Sequence, residues 1–418
     1  MIVRCQFFIT GDTIQYMKNN YFFILGRNPA LAIAEIEALL DKNILERLIG
    51  PDFFIIKTKS EIDLYSLQKR LGGTIKVGNI IKESETDPEK EIFEIILKKI
   101  TTRRDPVCGI KDKKLNFGIN EYGQKIDALG IKRILKNEGK SVRLVTSKEK
   151  NLSSVISKKE ILDKDGVEIN IFKINKEVYI GETHVVQFFE EMSLRDWERP
   201  GKDRLSGMLP PQLAKIMINL AGSDVSGTLL DPFCGSGTVL TEAAIMGYDK
   251  LTGSDISEKA IEDTKKNFSW LKDNEFVKKT INPILYHLDV RNIEGRVAPD
   301  STDVIVTEPF LGPPLKKSST LDEVNEIKLD LEDLYLDAFR VFEKLLKKSG
   351  IIVIIFPSFL MKEKIFLDIL PQIKKMGFKI KNPLQHIDYK FSETTERGSI
   401  LYSRAGQKVG REIFLFIR

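Results

Sequence analysis

The chain has 418 residues, 42% of them apolar, with 65 Lys and Arg against 60 Asp and Glu and a pI near 8.7. That length predicts two or three domains with real cores, and the mild positive balance does not by itself imply a nucleic-acid partner. Three scattered cysteines (Cys5, Cys108, Cys234) and three histidines (His184, His287, His386) exclude a disulfide framework and a CxxC zinc site. No metal is expected, and the usage suits a reducing, cytoplasmic setting. No apolar run approaches a membrane span of about 18 residues, and residues 1–6 carry no secretory-type apolar core.

In chain order, residues 21–25 (YFFIL) read as a buried strand, 26–29 as a turn, and 31–40 as a helix that Pro29 can open. Residues 53–57 are a strand, 64–71 a helix and 74–81 a strand, so the region predicts a small α+β sandwich of ferredoxin type. A polar stretch at 83–90 reads as a linker. Beyond it, 92–100 and 128–137 read as helices. Residues 115–119, 142–145, 152–156, 161–162, 168–174 and 179–183 read as strand material. Lys132, Arg133, Lys136, Lys140 and Arg143 concentrate positive charge there and are the candidate phosphate-binding face. Charge alone more often marks a solvated helix face. Few aromatics interleave it, so contact with the backbone and shape of a folded RNA fits better than base stacking. Arg195 and Arg199 lie in a Gly- and Pro-rich junction, where a domain-interface salt bridge and a site role are equally good readings.

Residues 228–238 (TLLDPFCGSGT) read as a strand, a tight loop and the start of a helix. Gly235 and Gly237 remove side chains where a ligand could press on the backbone, at the carboxyl end of a parallel strand. A dinucleotide fingerprint wants a third glycine where Leu240 stands, and a P-loop wants a lysine where Thr238 stands. Both readings weaken. A bare GSGT is as readily a structural turn, but the full string DPFCGSGT resembles the S-adenosylmethionine loop of amino-group methyltransferases. That resemblance implies S-adenosyl-L-methionine as cofactor, held by Asp231, Phe233, Cys234, Gly235, Gly237 and Thr238.

After the loop, helix and strand alternate. Helices are predicted at 239–247, 259–271, 334–348 and 362–376, and strands at 250–254, 283–288, 303–306, 350–356, 378–380, 399–402 and 412–417. The fold class is therefore α/β, a doubly wound Rossmann-like sheet closed by an antiparallel hairpin. Asp231, Asp255, Asp289 and Glu308 end four consecutive strands and project towards one crevice. Each acid alone is better read as a solvated strand end; the joint pattern points to a site. Asp255, followed by Ile256, stands where an acid accepts hydrogen bonds from ribose hydroxyls. Asp289, with the Val290 N–H, is placed for the adenine edge. Asp231 is placed to favour the cationic methionine portion.

Thr307-Glu308-Pro309-Phe310 occupies the position where amino methyltransferases carry D/N/S-P-P-Y/F. There, a carboxylate or amide and a proline-rigidified carbonyl bind the N–H groups of the accepting amine, and the aromatic stacks on its base. This chain departs from that pattern. If Pro309-Phe310 match P-Y, the acid's slot holds Thr307; if Glu308-Pro309 match D-P, the aromatic slot falls on Leu311. Glu308 as amine acceptor and Phe310 as platform is the favoured alignment, with Pro309 and Thr307 as further candidates.

Segments at 21–39, 115–123, 130–145, 151–156, 195–221 and 401–416 together resemble the THUMP-domain tRNA guanine-N2 methyltransferases that modify guanosine 10. The resemblance implies four parts: 1–82 ferredoxin-like, 83–190 THUMP, 191–225 linker and junction helix, and 226–418 methyltransferase. It also implies tRNA as partner, gripped at its acceptor end, with the target base turned out of its helix. The chain is expected as a monomer, with room for a small activator subunit. An amino methyltransferase for another base in RNA or DNA, and a non-catalytic tRNA-binding protein, are the competing readings.

Overall fold

The computed structural model describes residues 16–84, 87–102, 114–202, 208–316 and 318–418. Cys5, Cys108, part of the expected linker (85–86) and part of the expected junction (203–207) lie outside the described residues. The chain divides into two units.

The first unit comprises the chain to Gly26, Lys42–Lys69 and Thr74–Phe189. In chain order, β1 (Asn20–Leu25) leads into α1 (Pro29–Leu40), which belongs to the second unit. There follow β2 (Ile44–Ile49), β3 (Phe53–Thr58), α2 (Leu64–Arg70), β4 (Thr74–Ser84), α3 (Pro88–Thr102), β5 (Leu115–Tyr122), α4 (Ala128–Asn137), β6 (Val142–Leu144), α5 (Ser154–Ile156), β7 (Val167–Ile174) and β8 (Glu177–Val186). These strands hydrogen-bond into one sheet, in the order β2-β3-β1-β4-β8-β7-β5-β6. Ile92 and Ile96 of α3 and Ile131 and Leu135 of α4 pack on Phe117, Ile169 and Ile171. Phe22, Phe53, Tyr122 and Phe172 form a second cluster.

Of residues 152–156 and 161–162, expected as strands, 154–156 and 161–162 are helical, and Leu152 and Ser153 lead into the helix. After α5 come a π turn, Ser157–Ile161, and a 3-10 turn, Leu162–Lys164. The Ser153 hydroxyl accepts from the Ile156 N–H at 3.4 Å and opens the helix. Buried Lys76, from β4, donates to the Leu152 carbonyl (2.6 Å) and the Ser157 hydroxyl (2.9 Å) while pairing with buried Glu168 at 2.7 Å. A short β-branched run cannot be told from helix by periodicity; here a lysine 76 residues away decides.

The second unit comprises Arg27–Asp41, Arg70–Gly73 and Glu190–Arg418. Its elements are α1, α6 (Phe189–Trp197), α7 (Pro211–Leu220), β9 (Thr228–Asp231), α8 (Thr238–Ile245), β10 (Lys250–Asp255), α9 (Glu258–Asp273), β11 (Ile284–His287), β12 (Thr302–Thr307), α10 (Leu321–Leu345), β13 (Leu346–Leu360), β14 (Lys364–Phe366), α11 (Leu370–Lys375), β15 (Lys379–Ile380), β16 (Ile400–Tyr402) and β17 (Val409–Ile417). Buried Glu35 of α1 accepts from the Gly72 and Gly73 N–H groups (both 2.8 Å) and from Asn219 of α7 (2.6 Å). That polar knot holds two N-terminal segments to this unit.

The sheet order is β11-β10-β9-β12-β13-β17-β15. Strands β9 to β13 run parallel, and β17 lies antiparallel between β13 and β15. Chain order reverses between β9 and β12, so a crevice forms at their carboxyl ends. Phe339 and Phe342 of α10 pack on Ile352, Ile354, Phe356, Phe414 and Phe416. No helix among the described residues is long and apolar enough to cross a membrane.

Two helices differ from expectation. Helix α10 begins 13 residues before 334, at a capping box in which Thr320 and Glu323 each bind the other's backbone N–H. That S/T-x-x-E signature was legible. The helix expected over 362–376 is β14 followed by the short α11, because Pro371 is tolerated only in a first helical turn.

Candidate active site

The cofactor loop is held from behind. Cys234 N–H donates to the Ser254 carbonyl (2.9 Å), and the Ser254 hydroxyl donates to the Pro232 carbonyl (3.1 Å). From α9, Thr264 donates to the Gly235 carbonyl (2.9 Å) and Asn267 to the Ser236 carbonyl (2.8 Å). Gly237 has φ 79°, and a Cβ there would lie 2.7 Å from Thr264. Gly235 has φ 52° but faces open space, with nothing within 4 Å of a Cβ position. One glycine is required by packing and the other leaves a cradle on the cavity side.

In front of the loop lies a cavity of about 640 Å³. Of the expected residues, Asp231, Phe233, Cys234, Gly235, Thr238, Asp255, Ile256, Asp289, Val290, Glu308, Pro309 and Phe310 line it. Gly237 and Thr307 stand behind the lining. Met208, Ser257, Asp263 and Arg291 also line it and were not singled out from sequence.

Asp255 accepts from Gly235 N–H with one carboxylate oxygen and from Ser257 N–H with the other, both at 2.9 Å. Each oxygen retains a lone pair for a further donor. Asp289 is turned to Arg291, whose guanidinium binds it at 2.9 and 2.6 Å and holds its carboxyl below the usual range. The adenine-edge role expected of Asp289 therefore competes with an ion pair between neighbours in sequence.

Asp231 is buried and accepts from the Thr307 hydroxyl at 2.7 Å. Burial pushes its carboxyl up to about 7, and the nearby charges of Asp255 and Glu308 add to that, although the hydrogen bonds from Thr307 and Phe233 pull the other way. Thr307 thus acts on Asp231 and not from the cavity wall.

Glu308 is gripped by Arg411 of β17: Nε donates at 2.6 Å and Nη2 at 3.4 Å. Burial raises the Glu308 carboxyl, and the guanidinium opposes that rise. Phe310 is 56% exposed beside it. Tyr335 donates towards the Phe310 carbonyl (3.3 Å) and anchors this loop. Arg411 lies far away in the chain, and no sequence signal connected it to the site.

Arg195 forms a buried ion pair with Glu242 (2.7 Å), and Arg199 donates to the Thr238 hydroxyl (2.7 Å). Both lie behind the lining, so they brace helix α8. The expected phosphate face maps to α4 and β6. Arg133 and Arg143 are exposed there and pair with Asp127 (3.5 Å) and Glu160 (3.2 Å).

The arrangement offers a nucleoside-sized cleft with carboxylates on both walls and an exposed aromatic at its mouth. Residues 200–377 match the family model of an RMKL-like methyltransferase domain, and 93–266 match a DNA methylase model. A Methanothermococcus thermolithotrophicus protein described as "probable tRNA (guanine(10)-N2)-dimethyltransferase" is 33% identical over 139 residues, which is 31% of this chain and 78% of that relative. The chain belongs to this family. The tRNA (guanine(10)-N2)-dimethyltransferase of Pyrococcus abyssi (strain GE5 / Orsay) is 28% identical over 370 residues, covering 86% of this chain and 93% of that one. Two further relatives of the same name are matched over 40% and 54% of their length, so against these the chain spans about half. The crystal structure of TrmN from Thermus thermophilus shares the fold, with a TM-score of 0.51 at 14% identity over 96% of this chain and 99% of that one.

Proposed function

We propose that this protein methylates the exocyclic N2 amine of a guanosine in tRNA, at position 10, with S-adenosyl-L-methionine as donor. The observation that carries the reading is one cleft of a family member in which Asp255, beside the open Gly235 cradle, faces Glu308 and Phe310. The cradle and the spare lone pairs of Asp255 fit a nucleoside with free ribose hydroxyls. When bound, the cofactor supplies an electrophilic methyl on a sulfonium.

The chain's own residues do the rest. Asp231, once ionised, favours the positive methionine end. Arg411 favours the charged form of Glu308 against the effect of burial and fixes its orientation. Glu308 accepts an N–H of the target amine and so turns the nitrogen lone pair towards the methyl. Phe310 stacks on the guanine. Held by Asp231, Asp255 and the loop at Gly235, the donor would supply the methyl for that nitrogen, and the proton the amine loses would pass to the Glu308 carboxylate that already accepts it. Positioning supplies most of the acceleration.

The first unit, with its expected ferredoxin-like and THUMP parts, would hold the tRNA, with Lys132, Arg133, Lys136, Lys140 and Arg143 on phosphates. A monomer acting in the cytoplasm, alone or with a small activator subunit, is the working form proposed. The test is to incubate the protein with labelled S-adenosylmethionine and unmodified tRNA transcripts and to map the methylated nucleoside. Label in N2-methylguanosine or N2,N2-dimethylguanosine at position 10 supports the reading. Cofactor binding without transfer sinks it.

A further inference from the structure

The second unit has another concavity, of about 260 Å³, where β13 ends. Three cations from separate segments border it: Arg27 from the turn before α1, Lys364 from β14, and Arg404 from the loop between β16 and β17. None of the three forms an ion pair among the described residues. Glu393 is the one acid on the lining among the described residues, and its Oε2 accepts from the Ser392 hydroxyl at 2.8 Å. Ser358 lines the cavity too. Its side chain is fully buried, and its hydroxyl has no hydrogen-bond partner among the described residues.

Three converging cations against one acid repel one another unless an anion joins them. A buried hydroxyl without a partner has lost its water and gained nothing in exchange. A small anion with several acceptor oxygens relieves both. The rim is also preorganised. Asn28 donates to the Leu401 carbonyl (2.8 Å) and accepts from Leu31 N–H (2.9 Å), so Arg27 is presented from a fixed turn. Gly410 lines this cavity, and the next residue, Arg411, grips Glu308. The two sites are one strand position apart.

We infer that this cavity is a phosphodiester subsite for the polynucleotide substrate, in which Arg27, Lys364 and Arg404 hold a backbone phosphate above Ser358. It is separate from the α4 face and would register the RNA strand against Glu308. It rests on the proposed RNA substrate.

The test measures binding of an unmodified tRNA transcript to the full chain over a range of salt. It compares the wild type, the variants Arg27→Gln, Lys364→Gln and Arg404→Gln singly and together, and Lys348→Gln as control. Lys348 lies ten residues before Ser358, near the other end of the same strand. The triple variant should bind tRNA at least tenfold more weakly. Its plot of log affinity against log salt should be shallower by about 0.7–0.9 for one lost phosphate contact. S-adenosylmethionine affinity, melting temperature and the control should match the wild type.

A triple variant with wild-type tRNA affinity and salt slope overturns the inference. So does thermal protection by inorganic phosphate that the triple variant loses while its tRNA affinity is unchanged, because the site would then serve a free anion. These readouts need no turnover. A wild type that binds tRNA but transfers no methyl sinks the proposed activity alone. A wild type that methylates tRNA, with the triple variant unaffected in binding, sinks this inference alone.

Discussion

Arg411 and Glu308 are 103 residues apart in the chain, yet the guanidinium of one holds the carboxylate of the other through two hydrogen bonds at the mouth of the cleft. The ion pair is nearly enclosed, with side chains 9% and 12% exposed. The departed motif Thr307 to Phe310 is therefore not an acid left to itself. Its carboxylate is oriented from behind by the terminal strand, with other lone pairs available to a substrate.

Glu308→Ala should abolish methyl transfer while cofactor affinity, measured by calorimetry, stays within a few-fold. Arg411→Ala should lower turnover by about 10²-fold, the cost of a small misplacement of a positioning group, and Arg411→Lys should restore part of it. Without the guanidinium the buried Glu308 carboxyl rises further, so the acid limb of the pH–rate profile should move to higher pH in Arg411→Ala. An unmoved limb would show that Arg411 is only structural.

Asp255→Ala removes the acceptor of the Gly235 and Ser257 N–H groups together with the proposed ribose partner. A charge-assisted hydrogen bond is worth about 1.5–3 kcal/mol, so losing one from the ribose should lower cofactor affinity by about 10- to 150-fold. Unchanged affinity means that the ribose is held elsewhere.

The buried Asp231 carboxyl is pushed up to about 7. An acid raised in this way is protonated below that pH and charged above it. A cationic methyl donor binds the charged form better, so cofactor affinity should fall as pH drops through 7, with proton release on binding near pH 7. Thr307→Val removes a hydrogen bond that stabilises the charged form, and should shift this fall to higher pH. Calorimetry in buffers of different ionisation enthalpy checks both.

Lys76 and Glu168 form an ion pair with side chains 1% and 0% exposed. Lys76→Met leaves Glu168 buried without its partner and should cost about 3–5 kcal/mol in urea unfolding. Lys76→Met combined with Glu168→Leu should recover much of that loss, because two apolar groups replace two desolvated charges. A single variant as stable as the wild type would refute the account of how residues 152–157 are held.

Local signals carried the strand–loop–helix around Gly235, since a tight turn with two glycines between an apolar run and a helix has few other solutions. The acids at successive strand ends were legible for a related reason: alternating β and α units place every strand's carboxyl end on one edge of the sheet. The Thr320–Glu323 capping box and Pro371 were equally legible and correct the two misplaced helices. Three things depended on approach in space. Arg411 meets Glu308 only because β17 lies antiparallel on β13. Lys76 reaches the Leu152 carbonyl and the Ser157 hydroxyl only because the fold brings β4 beside them. Glu35 of α1 meets Gly72, Gly73 and Asn219 only because the fold packs the helix's buried apolar residues into the second unit. Which residues end the strands and form the glycine loop was readable along the chain, because loop chemistry and strand ends are local. Which partners hold those residues, and in what charge state, was decided by the tertiary structure, because ion pairs and desolvation depend on what is brought near and on how much water is excluded.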